Sequence, residues 1–250
     1  KWGLLYEFAR LAEGAQPDVI TMENVPTVAK HAVFHDFVDT LEKLKYHVWY
    51  DVVDSSLYGV PQARRRMVLL ASRHGKIEIS PPTRKKTKTV REAIGGLRPL
   101  EAGEAAPRDK LHVSSTLTEK NLQRIRASKP GGTWRDWPKH LVADCHRGES
   151  GRTYPSVYGR MEWNKPAPTM TTQCYGFGNG RFGHPEQDRA ISLREAAILQ
   201  SFPRDYAFVP DDGEVSFTAL GRLIGNAVPV DLGRAIARSI NSHLSSVMDR

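Results

Sequence analysis

Between Leu4 and Ala71 the apolar residues switch repeatedly from a helical period to a strand period, and this decides the fold class. Leu4, Leu5, Phe8, Leu11 and Ala12 share one helical face, which Gly14 and Pro17 bring to an end. Asp18 to Met22 is a short apolar run that predicts a buried strand, with Glu23-Asn24-Val25-Pro26 at its C-terminal end. Val33, Phe34, Phe37, Val38, Leu41 and Leu44 return to the helical register. His47 to Val53 alternates, with Val48, Tyr50 and Val52 on one face, and Met67 to Ala71 is a further apolar strand. Strand, helix and strand in this order predict an α/β layered sheet. Ligands of such sheets collect at the C-terminal ends of the strands, where Glu23 stands.

From about Ile79 the pattern changes. Pro81-Pro82-Thr83-Arg84-Lys85-Lys86-Thr87-Lys88 is basic and without apolar periodicity, and the residues up to Arg181 are rich in Gly, Pro, Trp and Arg. This predicts a second, loop-rich domain. Helical spacing resumes over Ser192 to Gln200 and again near the end, where Leu232, Ile236, Ile240 and Leu244 line one face. At 40% hydrophobic and 26% charged residues the chain is globular in composition. No run approaches the ~18 apolar residues of a membrane span. Two cysteines exclude a disulfide framework and a four-thiolate zinc site, and suggest a reducing, cytoplasmic setting. The net charge of +8 favours a polyanionic partner. The first residues are already helical in pattern, without methionine or capping residue, so the chain reads as one entered in its middle.

Several short segments carry chemistry. Glu23, leaving a buried strand, is either a strand cap or a carboxyl able to exchange a proton with a ring nitrogen. In Gln62-Ala63-Arg64-Arg65-Arg66, alternation sends Arg64 and Arg66 to one side and Arg65 to the other, and arginine forks suit phosphates and carbonyl oxygens. Alone, that run is better explained by a solvated basic turn. Gly225-Asn226-Ala227-Val228-Pro229 reads as a small-residue turn opening a helix, where backbone N–H groups can approach a ligand. Gly176 to Phe182 holds three glycines in five residues and is either a DNA-contacting loop or a plain turn.

Taken in order, Glu23-Asn24-Val25, Gln62-x-Arg64-x-Arg66, Gly180-Arg181-Phe182-Gly183-His184-Pro185, Arg194-Glu195-x-x-x-Leu199-Gln200-x-Phe202-Pro203 and Gly225-Asn226-x-Val228-Pro229 resemble the later motifs of the DNA cytosine-5 methyltransferases. The resemblance spans nearly the whole chain. It implies a partial Rossmann-like methyltransferase sheet plus a small loop-rich target recognition domain. The corresponding division is a C-terminal half of the catalytic domain over 1–78, a recognition domain over 79–185, and a return segment over 186–250 that packs on the catalytic part. The last segment, from Gly225 to about Leu244, is expected against the first 75 residues, and a strand edge and apolar patch are expected to be exposed where further strands would pair.

The family transfers a methyl group from S-adenosylmethionine to C5 of a cytosine swung out of duplex DNA, after a cysteine thiolate attacks C6. By resemblance, Glu23 holds the base N3 and exocyclic amine, Arg66 its O2, and Arg64 the neighbouring substrate backbone. Asn226 and Ala227 correspond to the turn that closes the cofactor pocket, and Gln62, Thr169 and Arg181 to residues facing DNA. The Pro-Cys nucleophile and the Gly-rich cofactor loop have no counterpart here. Cys145 and Cys174 lie elsewhere in the motif order, so this chain alone is expected to be inactive, as a fragment, one subunit of a split enzyme, or a remnant. No metal is implied, and the expected place is beside DNA in the nucleoid, alone or within a restriction–modification system. Two other functions remain open: a DNA-binding subunit without catalysis, and RNA cytosine methylation, which the ~100-residue recognition region disfavours because reading a duplex needs such a domain. A metal nuclease lacks a ligand cluster, since Asp211-Asp212-x-Glu214 is explained by a solvated turn. Trp134, Trp137, Arg135, Arg147 and Arg152 are candidates for recognition-domain contacts.

Overall fold

The computed structural model describes residues 3–82, 84 and 86–248. Lys1 and Trp2 of the opening helical pattern, and Thr83 and Lys85 of the basic run, lie outside the described residues. The chain divides into two compact units: Lys1–Tyr58, Arg64–Lys85 and Asp231–Arg250 in the first, Gly59–Ala63 and Lys86–Val230 in the second. This differs from the expected division. Residues 186–230, expected on the catalytic part, belong to the second unit, and only the terminal helix joins the first.

The first unit is a three-stranded sheet of β1 (Val19–Asn24), β2 (His47–Asp54) and β3 (Arg65–Ser72), in the order β1-β3-β2. β3 runs antiparallel to both neighbours. It is the central strand, and Met67 to Ala71 are fully buried because both faces of the sheet are covered. On one face Met67, Leu69 and Ala71 pack with Ile20 against α1 (Gly3–Ala15) and α2 (Ala32–Lys43). On the other, Val68 and Leu70 meet Val53, Tyr58, Ile77 and Ile79, together with Leu232, Ala235 and Ile236 of the terminal helix α7 (Val230–Met248). Of the segment expected against the first 75 residues, α7 from Leu232 on packs on the sheet, while Gly225 to Val230 belong to the second unit. Ser239 and His243 fix it there: Ser80 N–H donates to Ser239 Oγ over 2.8 Å, and Ser72 Oγ lies 2.7 Å from His243 Nε2.

Two details of this unit depart from expectation. The α1 stripe splits: Leu5 and Ala12 are buried, while Leu4 is 78% and Leu11 56% exposed. β1 extends through Asn24, so Glu23 sits within the strand rather than beyond it. β1 pairs with β3 alone and so forms an edge of the sheet. Leu4 and Leu11, the exposed leucines of this unit, lie on α1 and not on the β1 edge.

The second unit is loop-rich, as its composition implied. It holds α3 (Val90–Ile94), a two-stranded ribbon of β4 (Ala105–Ala106) and β5 (Asp109–Val113), α4 (Glu119–Ala127), several one-turn 3₁₀ segments, α5 (Leu193–Leu199) and α6 (Phe217–Asn226). Its main core gathers around α5, every residue of which is buried. Gly225 does not open a helix; it lies in the last turn of α6, and Ala227 is the C-cap. A Cβ at Gly225 would stand 2.3 Å from the Thr171 carbonyl carbon, so glycine is there to let α6 touch the Thr171–Thr172 backbone. No described helix is long and apolar enough to cross a membrane.

Candidate active site

Strand geometry brings Glu23, Arg64 and Arg66 together. Glu23 is opposite Val68 in the β1–β3 register, and Arg66 is two residues before Val68, so the pair lies diagonally on one face. Arg66 Nε is 2.8 Å from Glu23 Oε1, both side chains being about 15% exposed or less. The contact is a close ion pair, and a carboxylate oxygen has lone pairs enough to accept a further hydrogen bond beside it. Arg64 is buried and Arg65 exposed, the split that alternation requires.

Each group acts on the others' ionisation. Burial pushes the Glu23 carboxyl up, against the opposing pull of Arg66 and Arg64. Burial, then repulsion from Arg66, brings Arg64 down to about 10, with Glu23 countering. Burial likewise lowers Arg66, again opposed by Glu23. The result is a partly buried carboxyl, raised toward proton exchange, between guanidinium groups that can take a carbonyl or phosphate oxygen.

The remaining predicted residues fall in the second unit. Asn226 is exposed and Ala227 half-buried, and with Ala219, Arg222 and Leu223 they line an open depression of about 510 Å³. Thr169, half-buried, donates from Oγ1 to Ala63 O over 2.9 Å. Arg181, also half-buried, donates from one guanidinium nitrogen to Gly132 O over 2.6 Å. Gln62, expected to face DNA, is instead fully buried. Its amide nitrogen donates to Leu199 O (3.1 Å) and Gln200 Oε1 (3.0 Å), and its carbonyl accepts from Met170 N–H (2.8 Å). With both ends of the amide engaged inside the protein, Gln62 is a tie that holds the segment before β3.

Sequence reasoning also missed what the Arg-Glu and Gly-Arg-Phe-Gly-His-Pro motifs do here. Arg189 and Glu195 form a bidentate pair (2.7 and 2.8 Å) at essentially zero exposure. Glu195 also completes a capping box with Ser192 at the start of α5. Burial works to raise its carboxyl pKa, but the bonds and charge of Arg189, with His184 and the Ser192 N–H, outweigh it and hold it below the ordinary range. Arg194 forks onto Asp109 (2.7 and 2.8 Å) and donates to Tyr206 O. Arg160 donates to four backbone carbonyls and to Asp188. The signal was legible: Ser192-x-x-Glu195 spells a capping box ahead of an apolar run.

His184 belongs to this frame, 2% exposed, with Nδ1 accepting from the N–H groups of Glu186 and Gln187. Burial brings it from 6.5 down to about 4, Glu195 opposing and Arg189 and Arg160 assisting. As pH falls the unfolded chain takes up this proton first, so stability is full above 6.5 and declines down to about 4. Each unit of pH in that window costs about 1.4 kcal/mol. The urea midpoint is expected to fall between pH 6.5 and 5, and more steeply than in a His184→Asn variant; parallel curves for the two would show that His184 is not the cause.

The chain matches the C-5 cytosine-specific DNA methylase family over residues 1–242. It is 54% identical over 255 residues to the Type II methylase M.HgiDII of Herpetosiphon aurantiacus, covering all of this chain and 72% of that protein. It is 31% identical to the Type II methyltransferase M1.BsuMI of Bacillus subtilis, covering 94% of this chain and 53% of the relative. The chain therefore spans from about half to three quarters of the length of these relatives. Among solved structures, a prophage-encoded protein of Escherichia coli superposes with a TM-score of 0.67 at 22% identity, covering 95% of this chain and 73% of that one. The Dnmt2 methyltransferase of S. pombe does so with a TM-score of 0.57 at 16% identity, covering 92% and 68%. These likenesses make the α/β sheet of the first unit part of a Rossmann-like methyltransferase fold. With its ordered motifs, its sheet and its match over almost every residue, the chain belongs to the C-5 cytosine-specific DNA methylase family.

Proposed function

We propose that this chain provides the base-holding and DNA-reading parts of an enzyme that methylates C5 of cytosine in duplex DNA. The observation that carries this reading is the Glu23–Arg66 pair at the C-terminal end of β1, with Arg64 beside it. A flipped cytosine offers a ring nitrogen, an exocyclic amine and a carbonyl oxygen on one edge. Glu23, raised by burial, holds a proton at N3 and accepts from the amine through an oxygen that Arg66 does not saturate. Arg66 takes the O2 carbonyl, and Arg64 the adjacent phosphodiester. Holding N3 draws electron density from C6 and favours nucleophilic attack there.

The depression beside Asn226 and Ala227 is lined by Ala219, Leu223 and Ala227, with the Asn226 amide and the Arg222 guanidinium as its polar groups; apolar walls suit the adenine face of S-adenosylmethionine, and the arginine its carboxylate end and not its sulfonium. When bound, that cofactor supplies an electrophilic methyl group. Thr169 and Arg181 are the DNA-facing residues of this reading; Arg181 has guanidinium donors beyond the one spent on Gly132. The nucleophilic thiolate comes from outside these residues. Cys174 is fully buried, and burial pushes its thiol up to about 12, which suits packing and not attack. The open edge of β1 is where the rest of the catalytic domain would pack, supplied in the same polypeptide or by a partner chain. Such an enzyme works on the nucleoid.

The test is transfer of labelled methyl groups from S-adenosylmethionine to mixed-sequence duplex DNA. It compares these 250 residues with the same protein extended by whatever its gene encodes upstream. Transfer is expected only from the extended protein, and is expected to survive Cys145→Ser and Cys174→Ser there. Transfer by the 250 residues alone would overturn the external thiolate. Silence from both on DNA, with transfer to RNA, would overturn the choice of substrate.

A further inference from the structure

Two glutamines of the second unit are joined to each other inside the protein. Gln62 and Gln200 are both fully buried. Gln62 Oε1 accepts from Met170 N–H over 2.8 Å, and Gln62 Nε2 donates to Gln200 Oε1 over 3.0 Å. Gln200 Nε2 in turn donates to Ile224 O over 2.7 Å and leans toward Ala227 O at 3.4 Å. The direction of this relay is fixed at both ends. Met170 N–H only donates and the Ile224 carbonyl only accepts, so neither amide can be reversed without breaking the chain of bonds.

Ile224 and Ala227 lie where α6 ends. The last carbonyls of a helix have no partner within it, and whatever takes them up sets the route of the chain beyond. Here the Gln200 side chain takes them up, while the Gln200 backbone carbonyl accepts from Val230 N–H over 3.2 Å. One residue thus holds the turn from Asn226 to Pro229 before and after its bend. Gly225 closes the circuit, because it lies against Thr171, the neighbour in sequence of the Met170 that is bonded to Gln62. On its other side the same turn presents Asn226 and Ala227 to the depression described above.

We propose that Gln200 is a positioning residue for the cofactor, which holds the Asn226–Ala227 turn where S-adenosylmethionine needs it, and that Gln62 locks Gln200 in the orientation this requires. Neither glutamine touches the cofactor, since both are fully buried. Their effect on it passes through two amides in series, whose bonds polarise one another. The inference rests on the reading of that turn as one wall of the cofactor pocket.

The test is S-adenosylmethionine binding by calorimetry on the upstream-extended protein, with methyl-transfer kinetics on the same preparations. Gln200→Leu removes the donor to Ile224 O. It is expected to raise the Kd and KM for the cofactor about tenfold, the effect of one buried hydrogen-bonding group left unsatisfied, with the rate at saturating cofactor within about threefold of the parent. Gln62→Glu keeps the acceptor for Met170 N–H, and while neutral it still donates to Gln200. Its loss of affinity is expected to grow as pH rises, because burial favours the neutral acid and only the anion lacks the hydrogen. Ser216→Ala, at the N-cap of α6, loosens the far end of that helix and is expected to leave the cofactor Kd unchanged. A role in folding alone would lower the number of binding sites and leave the affinity of the remaining ones as it was. That result for Gln200→Leu, parent affinity in Gln62→Glu at every pH, or equal weakening in Ser216→Ala would each overturn the inference and leave the cofactor place intact. Should Gln200→Leu fail to fold, the pH dependence of Gln62→Glu decides alone. Unchanged affinity in both Asn226→Ala and Arg222→Ala would overturn the cofactor place, and the inference with it.

Discussion

Glu23→Gln, made in the upstream-extended protein, is expected to lower kcat for methyl transfer by about 10²- to 10³-fold, the range found when one preorganised stabilising group is removed from an active site. Glutamine retains the shape and can still accept from an amine, but it cannot hold a proton at N3. The substitution also leaves Arg66 and Arg64 without the carboxylate that opposes the lowering of their pKa values by burial. Because DNA affinity is generated mostly by phosphate contacts, Kd for duplex is expected to change much less than kcat. Single-turnover rates and duplex binding, measured on the same preparations, separate these effects. A Glu23→Gln enzyme within threefold of the parent rate would remove Glu23 from the chemistry and return it to the role of a strand-end ion pair.

Glu195→Gln is expected to cost about 3–5 kcal/mol, because it leaves the Arg189 guanidinium buried and charged with only neutral partners. Arg189 is among the largest fully buried side chains of the molecule, so water cannot take over from the lost carboxylate. The same change weakens the Ser192 capping box at the start of α5. Chemical denaturation is expected to show the second unit melting first. Replacing both partners together, Arg189→Met with Glu195→Leu, is expected to cost much less than Glu195→Gln alone, since it removes the unpaired charge along with its mate. A Glu195→Gln midpoint within about 1 kcal/mol of the parent would show that the pair is not what holds α5 in place.

The same residues explain which parts of the fold could be read from sequence. α2, β3 and α7 announce themselves because burial on one or two faces leaves a periodic or continuous apolar record: Phe34, Phe37 and Leu41, then Met67 to Ala71, then Leu232 and Ile236. Alternation put Arg64 and Arg66 on one side of their strand, but the β1–β3 register that sets Arg66 beside Glu23 was not legible in the sequence. What escaped notice has the opposite character. Arg189 and Glu195 are buried through one another, and Arg160 through Asp188 and four backbone carbonyls, and no single position of a charged residue reveals that its partner lies nearby in space. Gln62 resembled a surface contact because the arginines that follow it are polar too, yet its amide fits an internal gap in backbone hydrogen bonding. Gly225 was read as freedom of the backbone when its function is the absence of a side chain against Thr171.

The position of α7 also sets a timetable. Val68 and Leu70 are covered by residues translated roughly 160 positions later, with Lys86–Val230 of the second unit made in between. At about 5–20 residues per second, the nascent sheet waits on the order of ten seconds or more with that face covered only by Val53, Tyr58, Ile77 and Ile79. A chain stopped before Asp231 would leave that face without the Leu232, Ala235 and Ile236 that complete its cover, a ready surface for aggregation. Closure of that face of the sheet is therefore a late event in synthesis, set by when Leu232, Ala235 and Ile236 of α7 become available to Val68 and Leu70.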